Sequence, residues 1–139
     1  MADDKRSLVD TNVWLYAFVA GDPVKSATAA SLIQKPSIAV SVQIINEVCV
    51  NLIRKARFTE TQVRPLIESF YAKCLVVPID KHVLLKASDL RQQFSLSFWD
   101  STVVASALHC GASTLYSEDL QNGLRIENCL TVINPFSTR

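Results

Sequence analysis

Apolar residues along this chain fall in short blocks whose spacing alternates between extended runs and helical periods. Leu8-Val9 reads as a short buried strand ended by Asp10. Residues 12–20 then read as a helix, which Gly21-Asp22-Pro23 stops. A second helix is predicted from Pro23, whose fixed φ and missing N–H suit a first helical turn, to Gln34. Ile38-Ala39-Val40-Ser41 is again extended, after which Ile45, Val48, Cys49, Leu52 and Ile53 recur at helical spacing. Thr59 with Gln62 has the form of a capping box opening a helix toward Ala72, in which Pro65 predicts a kink or a delayed start. Cys74-Leu75-Val76-Val77 reads as strand, Asp80 as the N-cap of a helix reaching about Phe94, and residues 99–109 as a helix closed by Gly111. Thr114-Leu115-Tyr116 and Leu130-Thr131-Val132-Ile133 are the last predicted strands.

Strands alternating with helices imply an α/β protein with a mostly parallel sheet covered on both faces, and ligands of such sheets gather beyond the carboxyl ends of the strands. The 139 residues are expected to form one domain, without repeats or low-complexity linkers. Hydrophobic residues at 49% and charged residues at 19% exclude disorder, and no apolar run approaches the roughly 20 residues of a membrane span. The charged opening Met1-Ala2-Asp3-Asp4-Lys5-Arg6 has no apolar leader segment, which points to the cytoplasm. Cys49, Cys74, Cys110 and Cys129 lack metal-ligand spacing and are expected to be reduced and structural. A net charge of +1 does not advertise a nucleic-acid binder, so any such role has to be argued from a site.

Four carboxylates offer one. Asp10 directly follows the first strand, and Asp119 comes three residues after Tyr116, so both are expected at strand carboxyl ends. Each has a plain structural use as well, Asp10 as an N-cap and Asp119 as a turn residue. Asp100 precedes Val103, Val104, Ala107 and Leu108 at i+3, i+4, i+7 and i+8, which places it on the apolar side of its helix. An inward-facing carboxylate there needs a cation, donors or a raised pKa. Glu47 lies in the first turns of its helix, at the margin of the apolar face. Convergence of these four on one sheet edge would need compensating charge, and hard divalent cations such as Mg²⁺ take oxygen ligands of this kind. Such a site suits phosphodiester hydrolysis by an activated water, with no histidine required.

Val9-Asp10-Thr11-Asn12, Ile45-Asn46-Glu47-Val48, Phe98-Trp99-Asp100-Ser101 and Ser117-Glu118-Asp119 occur in the order of the acidic motifs of the PIN-domain family, which the chain resembles over nearly its whole length. Within that family it resembles the VapC-type toxins of bacterial type II toxin–antitoxin pairs, sharing also the Ala-rich helix after Asp100 and the closing Asn134-Pro135-Phe136. The resemblance implies a three-layer α/β/α sandwich and a Mg²⁺- or Mn²⁺-dependent endoribonuclease, commonly dimeric and inhibited by a cognate antitoxin. It makes Asp10 and Asp100 the central metal ligands, Glu47 a ligand or water-positioning base, and Asp119 a second-metal or water-mediated ligand. Asn12, Ser117 and, in the same way, Thr11 are expected to orient these carboxylates. Ser117 stands where the family more often carries Thr, which keeps the hydroxyl.

Glu118 competes with Asp119 for the fourth role, although the Ser-Glu-Asp spacing favours Asp119. His109, about half a turn around the helix from Asp100, and His82 read as surface residues. Trp14 and Trp99 are read as core or dimer contacts in preference to base-stacking platforms, and Arg54, Lys55 and Arg57 as a solvated helix end. A receiver-like phosphoacceptor would want an early acidic pair and a late strand-end lysine, and a haloacid-dehalogenase-like phosphatase an acid at position 12; neither pattern is present. The alternative that remains is a non-catalytic PIN-like module binding RNA or a protein partner.

Overall fold

The computed structural model describes residues 5–137, so the opening Met1 to Asp4 lies outside the described residues. Among the described residues six strands and six helices follow in the order β1 (Ser7–Val9), α1 (Thr11–Phe18), α2 (Pro23–Leu32), β2 (Ile38–Ser41), α3 (Val42–Ala56), α4 (Glu60–Lys73), β3 (Leu75–Val77), α5 (Lys81–Gln93), α6 (Phe98–His109), β4 (Thr114–Tyr116), β5 (Arg125–Ile126) and β6 (Leu130–Ile133). The strands form one sheet in the order β3-β2-β1-β4-β6-β5, parallel throughout except for the β5–β6 pair.

Chain direction decides where a site can form. From β1 the chain steps outward through α1 and α2 to β2, then through α3 and α4 to β3, always toward the same edge. From β3 it returns by α5 and α6 to β4, on the other side of β1, and continues outward to β6 and β5. Because parallel crossovers are right-handed, reversing the direction of travel puts α5 and α6 on the face opposite α1 to α4. The crevice at the reversal lies between the carboxyl ends of β1 and β4, where the chain leaves the two neighbouring strands in opposite directions. Register fixes this junction, with Val9 beside Tyr116 and the Asp10 N–H donating to the Tyr116 carbonyl oxygen at 2.9 Å.

Strand interiors are apolar because both faces are covered, and every residue of β2 is buried, as are Leu8, Val9 and Leu115. Trp14 is a core residue, as expected; its indole N–H donates to the Val9 carbonyl oxygen at 2.9 Å, and its ring meets Phe70 edge-on with centroids 4.9 Å apart. Trp99 is not, being 42% exposed at the start of α6. His82 and His109 are exposed, and Cys49, Cys74, Cys110 and Cys129 are all free thiols.

Three local departures from the sequence reading have physical reasons. The capping box at Thr59 and Gln62 forms, and α4 runs from Glu60 through Pro65 without delay. Pro65 and Thr61, whose carbonyl loses its intrahelical donor, are both exposed, so water can take the place of the missing N–H. The first helix ends at Phe18, two residues early, where Val19 turns extended. Strand β5 had no signal in the sequence: it is two residues long and is followed by Glu127 and Asn128, both with left-handed φ, a conformation that neither residue advertises as Asn-Gly would.

Leu115 is fully buried in the middle of a central strand. Replacing it by Ala is expected to cost about 2–5 kcal/mol, read as a lower denaturation midpoint in urea at an unchanged m-value.

Candidate active site

Asp10 occupies the turn from β1 into α1 as the N-cap of that helix, and it is 7% exposed. Each of its carboxylate oxygens takes one donor: Oδ1 accepts from the Thr11 backbone N–H at 2.8 Å, and Oδ2 from the Ser117 hydroxyl at 2.9 Å. Ser117, just beyond β4 and fully buried, also accepts from the Leu120 N–H at 3.3 Å, so its hydroxyl proton is directed at Asp10. The Thr11 hydroxyl oxygen is buried and has no hydrogen-bond partner among the described residues.

Burial is the largest influence on Asp10 and pushes its pKa up from 3.8 to about 6. The two donors pull the other way, and the charges of Asp119 and Asp100 raise it further. Asp119 is also raised, first by desolvation and then by the charges of Glu118 and Asp100. The charges of Asp119 and Asp100 therefore lie close enough to act on Asp10, and that of Asp100 acts on Asp119 as well. Asp119 is exposed, and its Oδ2 accepts from the Asn12 side-chain amide at 2.8 Å.

Asp100 is half-buried rather than fully inward-facing. The apolar face that suggested an inward position runs along the later turns of α6, where residues 103 to 107 are all buried, whereas Asp100 sits in the first turn at the rim. Nor does its side chain cap the helix: Ser97 is the N-cap, and its hydroxyl accepts from the Asp100 backbone N–H at 3.0 Å.

Glu47 is half-buried on α3, where its Oε2 accepts from the Asn51 side-chain amide at 3.3 Å. Glu118 is engaged elsewhere: its carboxylate accepts from Tyr16 Oη at 2.8 Å and pairs with Lys25. Among the described residues no three His, Cys, Asp or Glu side chains are grouped tightly enough to form a preassembled metal cage. What the site offers is an oxygen-only set of carboxylates at strand and helix ends, with charge in excess of the donors supplied to it. Asn51, Lys25 and Tyr16 were not legible in the sequence, because each acts on a neighbour that only the fold supplies.

Raising the Asp10 pKa costs the ionised, metal-free fold roughly 3 kcal/mol at neutral pH relative to an unfolded chain in which the group titrates near 3.8. The folded state prefers the protonated form, so this penalty is present above pH 6 and disappears as the pH falls through 6 toward 4. Asp10→Asn is accordingly expected to melt higher than the wild type in EDTA at pH 7.5, with the gap closing by about pH 4. Calorimetric scans across that range check it; a gap that persists unchanged at low pH would exclude the charge of Asp10 as its cause.

The PIN-domain family model matches residues 7–121. No curated protein sequence matches the chain. Among solved structures, it is similar to a chain of a toxin–antitoxin complex from Klebsiella pneumoniae, with a TM-score of 0.73 and 19% identity over 95% of this chain and 99% of the other. It is also similar to VapC20 from Mycobacterium tuberculosis, described as a toxin cleaving the sarcin–ricin loop, with a TM-score of 0.67 and 22% identity over 81% of this chain and 89% of that one. A third likeness is to a chain of VapBC2 from Rickettsia felis, solved bound to a DNA fragment from its promoter, with a TM-score of 0.65 and 16% identity over 92% and 98%. These likenesses concern the fold, and with the match of the family model over most of the chain they give the conclusion that this protein belongs to the PIN-domain family, an α/β fold with a mostly parallel central sheet.

Proposed function

We propose that this chain is a Mg²⁺- or Mn²⁺-dependent endoribonuclease that hydrolyses single-stranded or loop RNA as the toxin of a toxin–antitoxin pair. The observation that carries the reading is the burial of the Asp10 carboxylate at the reversal of the sheet, beside the charges of Asp119 and Asp100, which together push its pKa up to about 6. A structural cap gains nothing from burial among like charges, whereas a cation relieves that repulsion.

The donor set fits a hard divalent ion, which takes oxygen ligands and is commonly held by one or two carboxylates with water and substrate phosphate completing its shell. Asp10 and Asp100 would hold the ion directly, with Glu47 and Asp119 as further ligands or partners of its waters. Bound there, the ion would lower the pKa of a water and stabilise charge on the leaving oxygen.

The chain's own residues supply the rest. The Ser117 hydroxyl and the Thr11 N–H fix the plane of the Asp10 carboxylate, one donor to each oxygen. Asn12 holds Asp119 by Oδ2, and among the described residues no donor bonds its Oδ1. The unpartnered Thr11 hydroxyl supplies one more polar group beside Asp10.

The antitoxin partner is supported by the likeness to chains solved in toxin–antitoxin complexes. Homodimerisation is supported by an apolar groove between α3 and α4, where Val42, Ile67 and Tyr71 are 40%, 37% and 56% exposed. No described helix is long and apolar enough to cross a membrane.

Freed of inhibitor, the protein is expected to cut an RNA oligonucleotide only with Mg²⁺ or Mn²⁺, leaving 3′-hydroxyl and 5′-phosphate ends. Asp100→Asn is expected to abolish measurable cleavage and most of the thermal stabilisation that saturating Mg²⁺ gives the wild type, about 2.7 kcal/mol at a hundredfold excess over the dissociation constant. Cleavage that survives EDTA, or that yields 2′,3′-cyclic phosphate, contradicts the reading; metal-independent RNA binding without cleavage would favour a non-catalytic module. Light scattering is expected to give about twice the 15.4 kDa chain mass, and a monomer at high micromolar concentration excludes the dimer alone.

A further inference from the structure

Asp10, Asp119 and Asp100 are not held alike. Asp10 has a donor on each oxygen and Asp119 has Asn12, but among the described residues no donor bonds the carboxylate of Asp100. Its position therefore depends on the turn of α6 that carries it. Ser97 secures the backbone of that turn from one side.

Arg91 secures it from the other. Placed in the last turn of α5, it donates from Nη1 to the Ser101 hydroxyl oxygen at 2.8 Å, and its guanidinium carbon lies 3.9 Å from the centroid of the Phe98 ring. The Ser101 hydroxyl in turn donates to the Phe98 carbonyl oxygen at 2.9 Å. Asp100 sits between these two anchors. Ser101 is fully buried, but Phe98 is 75% exposed, so core packing does not hold its ring; the stacked guanidinium does.

No direct ion pair holds Arg91 there among the described residues. The start of a helix is its positive end, and Arg91 is half-buried. A planar guanidinium can stack on a ring and donate a hydrogen bond at once, which a lysine ammonium cannot do.

We infer that Arg91 is a positioning residue for Asp100, fixing the first turn of α6 through Phe98 and Ser101 so that the carboxylate meets the site shared with Asp10 and Asp119. The inference rests on the nuclease reading above. It goes beyond a clamp between two helices, because a clamp changes stability alone whereas a positioning residue also changes what the carboxylate does.

Arg91→Met, Arg91→Lys and Phe98→Leu test it, with Mn²⁺ affinity of the metal-free protein by calorimetry, kcat and KM on an RNA oligonucleotide, and urea denaturation. Arg91→Met is expected to fold, to bind Mn²⁺ about tenfold more weakly and to lose about 10–100-fold in kcat with KM within about twofold. Arg91→Lys is expected to recover little of either, and Phe98→Leu, which keeps the bond to Ser101, to fall between. Wild-type Mn²⁺ affinity and kcat in Arg91→Met, with only a lower denaturation midpoint, overturn the inference. If Arg91→Met does not fold, Phe98→Leu decides, since that side chain lies outside the core; wild-type Mn²⁺ affinity and kcat there overturn it equally. A wild-type protein that neither binds Mn²⁺ nor cuts RNA fails at the nuclease reading, and the inference falls with it.

Discussion

A carboxylate taken out of water at the junction of β1 and β4 sets the terms for its surroundings. Asp10 is buried because the strand before it is a central one, flanked on both sides by parallel neighbours and covered on both faces. Two donors reach it, and they would suffice to hold an isolated surface carboxylate ionised. Here desolvation outweighs them, and the charges of Asp119 and Asp100 add to the deficit, so the group ionises only near pH 6. The fold thus keeps a destabilised charge at the one crevice its topology creates. That is the expected signature of a site whose electrostatics are completed by something it binds.

The surrounding contacts divide the acidic residues into separate assignments. Tyr16 and Lys25 draw the Glu118 carboxylate toward α1 and α2, and Lys25 lies over the rings of Tyr16 and Phe136, 4.9 and 5.5 Å from their centroids. This ties the segment after β4 to α1 and α2 and gives the acid next to Asp119 a cation of its own. Asn12 ties the same segment to α1 through Asp119 itself. On the opposite face Ser97 and Arg91 brace the turn that carries Asp100. Each carboxylate is thus placed by a different element, and no single loop has to carry the whole arrangement.

Local chemistry made much of this legible in advance. The strand blocks, the Thr59 capping box, the Pro23 and Asp80 helix starts and the position of Asp10 after a buried strand all depend on residues near one another in the chain, and all are present. The ordered acidic motifs led to the family because their order, unlike any one of them, is improbable by accident. Strand β5 was missed since its turn residues carry no hairpin signal and its two positions give no periodicity.

Sequence by itself determined the alternation of strands and helices, the placement of acids at element ends and the family those motifs belong to, because each is written in spacing and local propensity. Tertiary structure alone decided which acids share a field. Whether Asp100 lies at the rim or in the core depends on how α6 seats against the sheet, and its helix is buried nearly all round, so periodicity could not say. That Glu118 belongs to Lys25 while Asp119 belongs to Asn12 follows from contacts 93 and 107 residues apart in the chain. Nothing in the linear pattern marks Arg91, whose contacts with Phe98 and Ser101 join two helices. Pairings of that kind depend on distances between elements, and a linear pattern carries no record of them.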